Sequence, residues 1–198
     1  MEDLTLDRQR TALLIADFYT EWMGKLPHSL ERGCLARTQA LQQAARAAGL
    51  LVCYSATVFR PGYPEVSERN KVFSDRARSG APAIADPLAI IHPGVQPQAG
   101  EPVVGKHRVN AFHGTDLGVI LRARNIDTLI LLGYATSGVV LSTTRHAADN
   151  DYRLFIAEDC CADQDPAVHD FLCKRIFPRQ ATVLQSEVLV RALGKPAC

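Results

Sequence analysis

A charge of one sign, long apolar runs and paired cysteine motifs are all missing from this chain, and each absence removes a class of function. Its 198 residues carry 22 Lys and Arg against 21 Asp and Glu, a formal net charge of +1. That balance gives no basic footprint for nucleic acid or for an acidic membrane surface, and a small, near-neutral partner is expected instead. No apolar run approaches the roughly 18 residues that a bilayer span needs. The leading MEDLTLDRQR is charged and lacks the apolar core of a secretory signal, so a cytoplasmic location is the expectation. Cys34, Cys53, Cys160, Cys161, Cys173 and Cys198 contain no C-x-x-C pair with a matching partner pair, and in a reducing compartment they should be free thiols. Metal-ligand spacing is absent too. His92, His107 and His113 are scattered, and ATVFRPGYPEVSERN holds Glu65 and Glu68 but no His, so neither metal nor other cofactor is expected. There is no internal repeat or low-complexity tract, and the length suits one domain over residues 1–198.

What is present is an alternation of short apolar runs with amphipathic stretches. Thr11 to Ala16 reads as a first buried strand with Asp17 just past its carboxyl end. Ser29 can cap a long helix to Ala48, with Gly49 as its left-handed stop. Leu50 to Val58 is a second strand, with Cys53 inside it as a small buried residue. Residues 59–101 are rich in Pro and Gly, hold one short helix near Glu65 to Arg78, and are long enough to shape a binding site; Arg60, Tyr63 and Asn70 are the candidates there. Val103 and Val104 form a third strand ending at Lys106 and His107, and Thr115 or Asp116 caps the helix of Leu117, Ile120 and Leu121.

The most informative stretch is DTLILLGYATSGVVLSTTRHAADNDYRLFIAED, residues 127–159. Leu129 to Leu132 has no alternation, as expected of a strand covered on both faces, Gly133 to Gly138 supplies a turn, and a helix follows from Val139. Its first N–H groups would face a crevice at a strand end, a natural anion or oxyanion site. Asp165-Pro166 then opens a further helix, Ala181 to Leu184 is the last strand, and Ser186 caps a final helix. Six strands alternating with helices predict an α/β fold, a doubly wound, mostly parallel, Rossmann-like sheet with helices on both faces.

Three stretches, LLIADFYTEW, VVGKHRVNAFHGTDL and ILLGYATSGVVLSTTRHAADNDY, together resemble the isochorismatase-like hydrolases over nearly the whole chain. The resemblance implies a six-stranded parallel sheet of order 3-2-1-4-5-6 and a homodimer or tetramer acting on a small-molecule substrate. Amidases of that superfamily use an Asp-Lys-Cys triad. The resemblance carries the Asp to Asp17, the Lys to Lys106 and a cis peptide to Ala135-Thr136, with Tyr134 lining the pocket. It places Val139 where the nucleophilic cysteine would stand. No cysteine lies near that turn; Cys160 and Cys161 follow the next strand, away from a helix N-terminus that would acidify a thiol. Ser137 there reads as a helix cap.

Losing the thiol removes the covalent acyl-enzyme route but not all catalysis. Asp17 can move a proton, Lys106 can hold it ionised, and the N–H groups of Gly138 and Val139 are candidate oxyanion donors. The resemblance supplies a precedent in isochorismatases that lack the cysteine and use the Asp as a general acid on a vinyl ether. Two functions therefore stand: a hydrolase with water as nucleophile on an enol ether, amide or related C–N bond, and a non-catalytic binder of a small ligand or partner in the same pocket.

Overall fold

The computed structural model describes residues 4–195. Six strands, β1 (Thr11–Ala16), β2 (Leu51–Thr57), β3 (Val103–Lys106), β4 (Thr128–Tyr134), β5 (Arg153–Ala162) and β6 (Thr182–Leu184), form one sheet of order β3-β2-β1-β4-β5-β6. Every pairing is parallel. β1 is buried along its whole length, which is why it reads as an uninterrupted apolar run. The order reverses direction between β1 and β4, so the carboxyl ends of these neighbours flank the crevice where ligands of open α/β sheets bind.

Eight helices follow in chain order: α1 (Thr20–Met23), α2 (Pro27–Glu31), α3 (Cys34–Ala47), α4 (Lys71–Arg78), α5 (Leu117–Ala123), α6 (Leu141–Ala148), α7 (Pro166–Phe171) and α8 (Ser186–Gly194). α3 and α8 pack on each other and on β5. α5 and α6 connect strands laid down in the opposite lateral direction, so right-handed crossovers put them on the other face. Among the described residues, no helix is long and apolar enough to cross a membrane.

Several boundaries differ from the sequence reading for local reasons. The long helix expected from Ser29 is two helices, because Gly33 adopts a left-handed φ of 62° between them. Ser29 does not cap; its hydroxyl donates to the Met23 carbonyl at 2.7 Å. Gly49 does end α3, with Leu50 N–H bonded to Ala45 O and Gly49 N–H to Arg46 O, the paired bonds of a Schellman stop. Ser186 is the first residue of α8, not its cap: Asp159 on β5 accepts from its N–H at 2.7 Å and its hydroxyl at 2.9 Å. Cys160 and Cys161 lie within β5, which runs on to Ala162. Cys34, Cys53, Cys160, Cys161 and Cys173 are free and buried; Cys198 lies outside the described residues.

The tightest backbone approach joins β1 to β4. Gly133 has φ of 136°, and a Cβ placed there would sit 1.8 Å from the Ala16 carbonyl oxygen, the residue before Asp17. Gly133→Ala should therefore cost on the order of 4 kcal/mol or more, by strain and displacement of β1. Urea unfolding of the variant beside the parent measures this, and an unchanged midpoint would contradict it.

Candidate active site

Three adjacent strand ends each deliver one polar side chain to the same point. Asp17 follows β1 with a positive φ of 51°, Thr57 ends β2, and Lys106 ends β3 in register with Thr57. The Lys106 ammonium donates to Asp17 Oδ2 at 2.6 Å, to Thr57 Oγ1 at 2.5 Å and to the Arg108 carbonyl at 3.1 Å. An ammonium has three hydrogens, so its donors are fully used within the protein. Lys106 is 1% exposed and Asp17 7%.

Asp17 Oδ2 also accepts from Thr57 Oγ1 at 3.2 Å, Oδ1 has a long contact of 3.5 Å from Ser55 Oγ, and the Tyr19 hydroxyl adds a further hydrogen bond to the carboxyl. Burial raises the Asp17 carboxyl above its ordinary range, against the opposing pull of Lys106, Tyr19 and Thr57. The Tyr19 hydroxyl accepts from the Thr57 N–H and sits against Asp17, whose charge together with burial pushes the phenol well above its usual value.

This cluster is the polar floor of a cavity of about 510 Å³. Trp22 and Tyr134 stack in its wall with ring centroids 5.4 Å apart and 11° between planes. Val72, Phe73, Arg76, Ile84, Ala89 and Ile90 contribute another wall from the segment between β2 and β3. That segment is tied to the Asp17 strand end by a bridge between Tyr19 and Ile91 and by the His92 N–H to the Phe18 carbonyl at 2.8 Å.

The turn after β4 forms the remaining side. Ala135, Gly138 and Val139 line the cavity, and Val139 is buried. Thr136 faces the opposite way, its hydroxyl bonded to Ala162 O and against His169. The cis peptide joins Tyr134 to Ala135, one bond earlier than expected at Ala135-Thr136. A π-turn over Thr136–Val140 precedes α6, so the regular helix begins at Leu141, not Val139. Gly138 is not a free oxyanion donor as expected, because its N–H is bonded to the Ala135 carbonyl at 3.0 Å. Ser137 does not act as a cap; its N–H donates to Asp163 Oδ2 at 2.7 Å.

Other sequence candidates lie elsewhere. Arg60 pairs with Glu65 at 2.6 Å, Tyr63 donates to the Ala81 carbonyl at 2.9 Å, and Asn70 caps α4 by accepting from Phe73 N–H. None of the three lines the cavity. The right segment was chosen but not the right residues, since those that reach inward are mostly apolar. Tyr19 and Trp22 were missed although they follow Asp17 by two and five positions, and Trp22 is the only tryptophan. His107 stands behind the site, bonded through Nδ1 to the Val58 carbonyl at 2.7 Å. His146 stacks on Phe112 at 4.6 Å, a packing role.

No described cysteine lines this cavity, and burial drives the Cys53 thiol up to about 12 and the Cys160 and Cys161 thiols higher still. Among the described residues, Glu158, His169 and Cys173 bring donor atoms within 4.8 Å of one another, but the Arg32 guanidinium already neutralises that carboxylate at 2.6 Å.

A parallel α/β sheet whose switch-point crevice holds a carboxylate, an ammonium and a strand-turn-helix unit defines a hydrolase-type domain built around a small-molecule pocket. The isochorismatase domain profile matches residues 11–188, and the chain belongs to the isochorismatase family. It is similar to the uncharacterized isochorismatase family protein YecD of Escherichia coli O157:H7, 41% identical over 88 residues that cover 44% of this chain and 47% of that one. A probable isochorismatase of Pseudomonas chlororaphis is 29% identical over 94% of this chain and 87% of its own length. Among solved structures, an isochorismatase family protein from Burkholderia thailandensis superposes with a TM-score of 0.80 at 29% identity, over 96% of this chain and 98% of that one.

The raised Asp17 pKa means that ionising this group works against folding. Its contribution to stability is fully present below 3.8 and lost as pH rises through the folded value, unless Lys106 offsets it. Lys106→Met should accordingly destabilise by about 3–5 kcal/mol at pH 7, and Asp17→Asn with Lys106→Met together should recover much of that loss. Denaturant titrations of the single and double variants decide it; a double variant no more stable than Lys106→Met would show that the pairing does not set the cost.

Proposed function

We propose that this chain is a cysteine-independent hydrolase in which Asp17 acts as a general acid, with an enol ether as the favoured bond class and water as the nucleophile. The observation that carries the reading is the buried Asp17 carboxyl, held by Lys106 and Thr57 at the floor of a mostly apolar cavity whose other wall presents Val139, not a thiol; burial there raises the carboxyl toward its protonated form. Val139 stands at the position the family resemblance assigns to the nucleophile, and a valine side chain can neither attack nor shuttle a proton.

Amide cleavage by water needs a site for a developing oxyanion, and here Gly138 N–H and all three Lys106 hydrogens are already engaged, which leaves the Val139 N–H as the candidate donor. Enol-ether cleavage develops positive charge at the reacting carbon, so it needs no oxyanion site. Asp17 delivers its proton to the terminal vinyl carbon, a C–H bond forms from the π pair, and positive charge appears at the ether-bearing carbon. The carboxylate left on Asp17 stabilises that cation, while Lys106 and Thr57 hold the carboxylate in place. Water then adds to the carbon and returns a proton to Asp17. The resulting hemiketal breaks its C–O bond to give an alcohol and a ketone. Amide and related C–N substrates are the secondary class, and ligand binding without turnover is the competing function.

The test is product formation by wild type and Asp17→Asn against isochorismate, nicotinamide, simple amides and carbamoyl compounds. Expected is turnover of the enol ether that disappears in Asp17→Asn. Because the protonated form is the acid, the rate should be highest at low pH and fall as pH rises through a value above 3.8. A ligand that stabilises both proteins without any product would instead establish the binding function.

A further inference from the structure

The turn that carries Val139 is held from behind by a polar chain that never reaches the cavity. Thr136 is fully buried, its hydroxyl 3.0 Å from the Ala162 carbonyl. His169, also fully buried, places Nδ1 2.8 Å from that hydroxyl. The opposite ring nitrogen lies 3.2 Å from Glu158 Oε1, and because a carboxylate can only accept, the ring hydrogen lies on Nε2 and Nδ1 accepts from Thr136. Glu158 is gripped in turn by Arg32 at 2.6 Å and Gln185 at 2.5 Å. The chain therefore runs from an ion pair at β5, through one imidazole on α7, to the residue beside the cis peptide.

Cys173 lies one helical turn beyond His169, its sulfur 3.7 Å from Nε2. Thiol, imidazole and carboxylate in a row look like a nucleophilic triad. Yet Cys173 is buried, its thiol is pushed up to about 12, and the cavity lies on the other side of the turn. The arrangement transmits position, not reactivity. The Thr136 end of this contact lies in a kinked turn, with Gly138 at φ −98° and ψ −107°, whereas His169 sits on the regular helix α7.

We propose that His169 is a positioning residue for the active-site turn: its Nδ1 accepts from the Thr136 hydroxyl and holds it, the Glu158–Arg32 pair orients its ring through Nε2–H, and the turn consequently presents Ala135, Gly138 and Val139 to the cavity. The proposal rests on the reading of that cavity as the catalytic site. Its physical basis is that Ala135, Gly138 and Val139 face the cavity while the side-chain hydrogen bonds of this turn, at Thr136 and Ser137, lie on its rear and help fix where its cavity face lies.

The two ring nitrogens make the idea separable from a role in filling space. An Asn amide can place its carbonyl oxygen near the position of Nδ1, whereas a Gln amide can place its N–H at the position of Nε2. His169→Asn should keep the bond from Thr136; His169→Gln should keep the bond to Glu158 and lose Thr136. Thr136→Val removes the hydroxyl donor at similar volume. Two readouts apply: turnover of the enol ether, and the alkylation rate of the thiol introduced by Val139→Cys, which needs no substrate and takes the parent chain as its blank. Expected is a change on the order of tenfold or more in both readouts for His169→Gln and for Thr136→Val, against less than about twofold for His169→Asn. The His169→Gln, Thr136→Val double variant should be no worse than either single one. Asn and Gln variants that behave alike, or a Thr136→Val variant indistinguishable from its parent, would overturn the proposal. Should wild type turn over no compound, the enol-ether reading falls while the alkylation comparison still decides the role of His169.

Discussion

An ammonium and a carboxylate taken out of water together cost several kcal/mol per ion before their attraction repays it, and the repayment depends on geometry. The Lys106–Asp17 contact meets that condition because three neighbouring parallel strands end at the same height, each with the right side chain in register. Shifting β2 or β3 by one residue would turn Thr57 or Lys106 to the other face and strand a buried charge. The pair therefore constrains sheet register as much as chemistry. Gly133 serves the same requirement from the other side, since only a residue without Cβ lets β4 approach Ala16 and set the turn beside Asp17.

Within that frame Val139, at the cavity wall, has a definite consequence. Val139 adds apolar surface to a cavity already walled by Trp22, Phe73, Ile84 and Ile90, so the medium around Asp17 disfavours its charged form. The same burial that would hinder a carboxylate acting as a base assists a carboxylic acid acting as a donor. Lys106, with all its hydrogens engaged, then limits how far the shift goes by favouring the carboxylate that remains once the proton has left. Acid strength and stabilisation of the conjugate base are thus set by separate neighbours.

Periodicity and strand-end logic made the mostly parallel sheet and the positions of Asp17 and Lys106 legible, because continuous apolar runs and the residues just beyond them follow directly from burial, while the strand order came only with the family resemblance. Asp165-Pro166 also reads correctly, with the Asp165 carboxyl accepting from Ala167 N–H. What was not legible depends on contacts distant in sequence. Ser186 looks like a cap, but Asp159, 27 residues earlier, takes that role. Arg60, Tyr63 and Asn70 look functional because they are polar, while their own loop absorbs them and leaves apolar neighbours to face inward. His169 gave no signal at all, since a single His on a short helix carries none until the fold sets Thr136 on one side and Glu158 on the other.

The two polar systems of this protein meet at the turn between β4 and α6 from opposite sides. In front, Asp17, Thr57, Lys106 and Tyr19 are arranged around one exchangeable proton. Behind, Thr136, His169, Glu158 and Arg32 form a chain with no opening to the cavity. A carboxyl at a cavity floor can act on a bound group only if that group is held within contact distance, so what the cavity binds must rest on a wall that does not yield. Val139 and Gly138 are part of that wall, and as a valine and a glycine their side chains form no hydrogen bond that could anchor it. Their placement must come from the backbone, and on the far side of the backbone the groups that supply it are the buried His169 and Asp163.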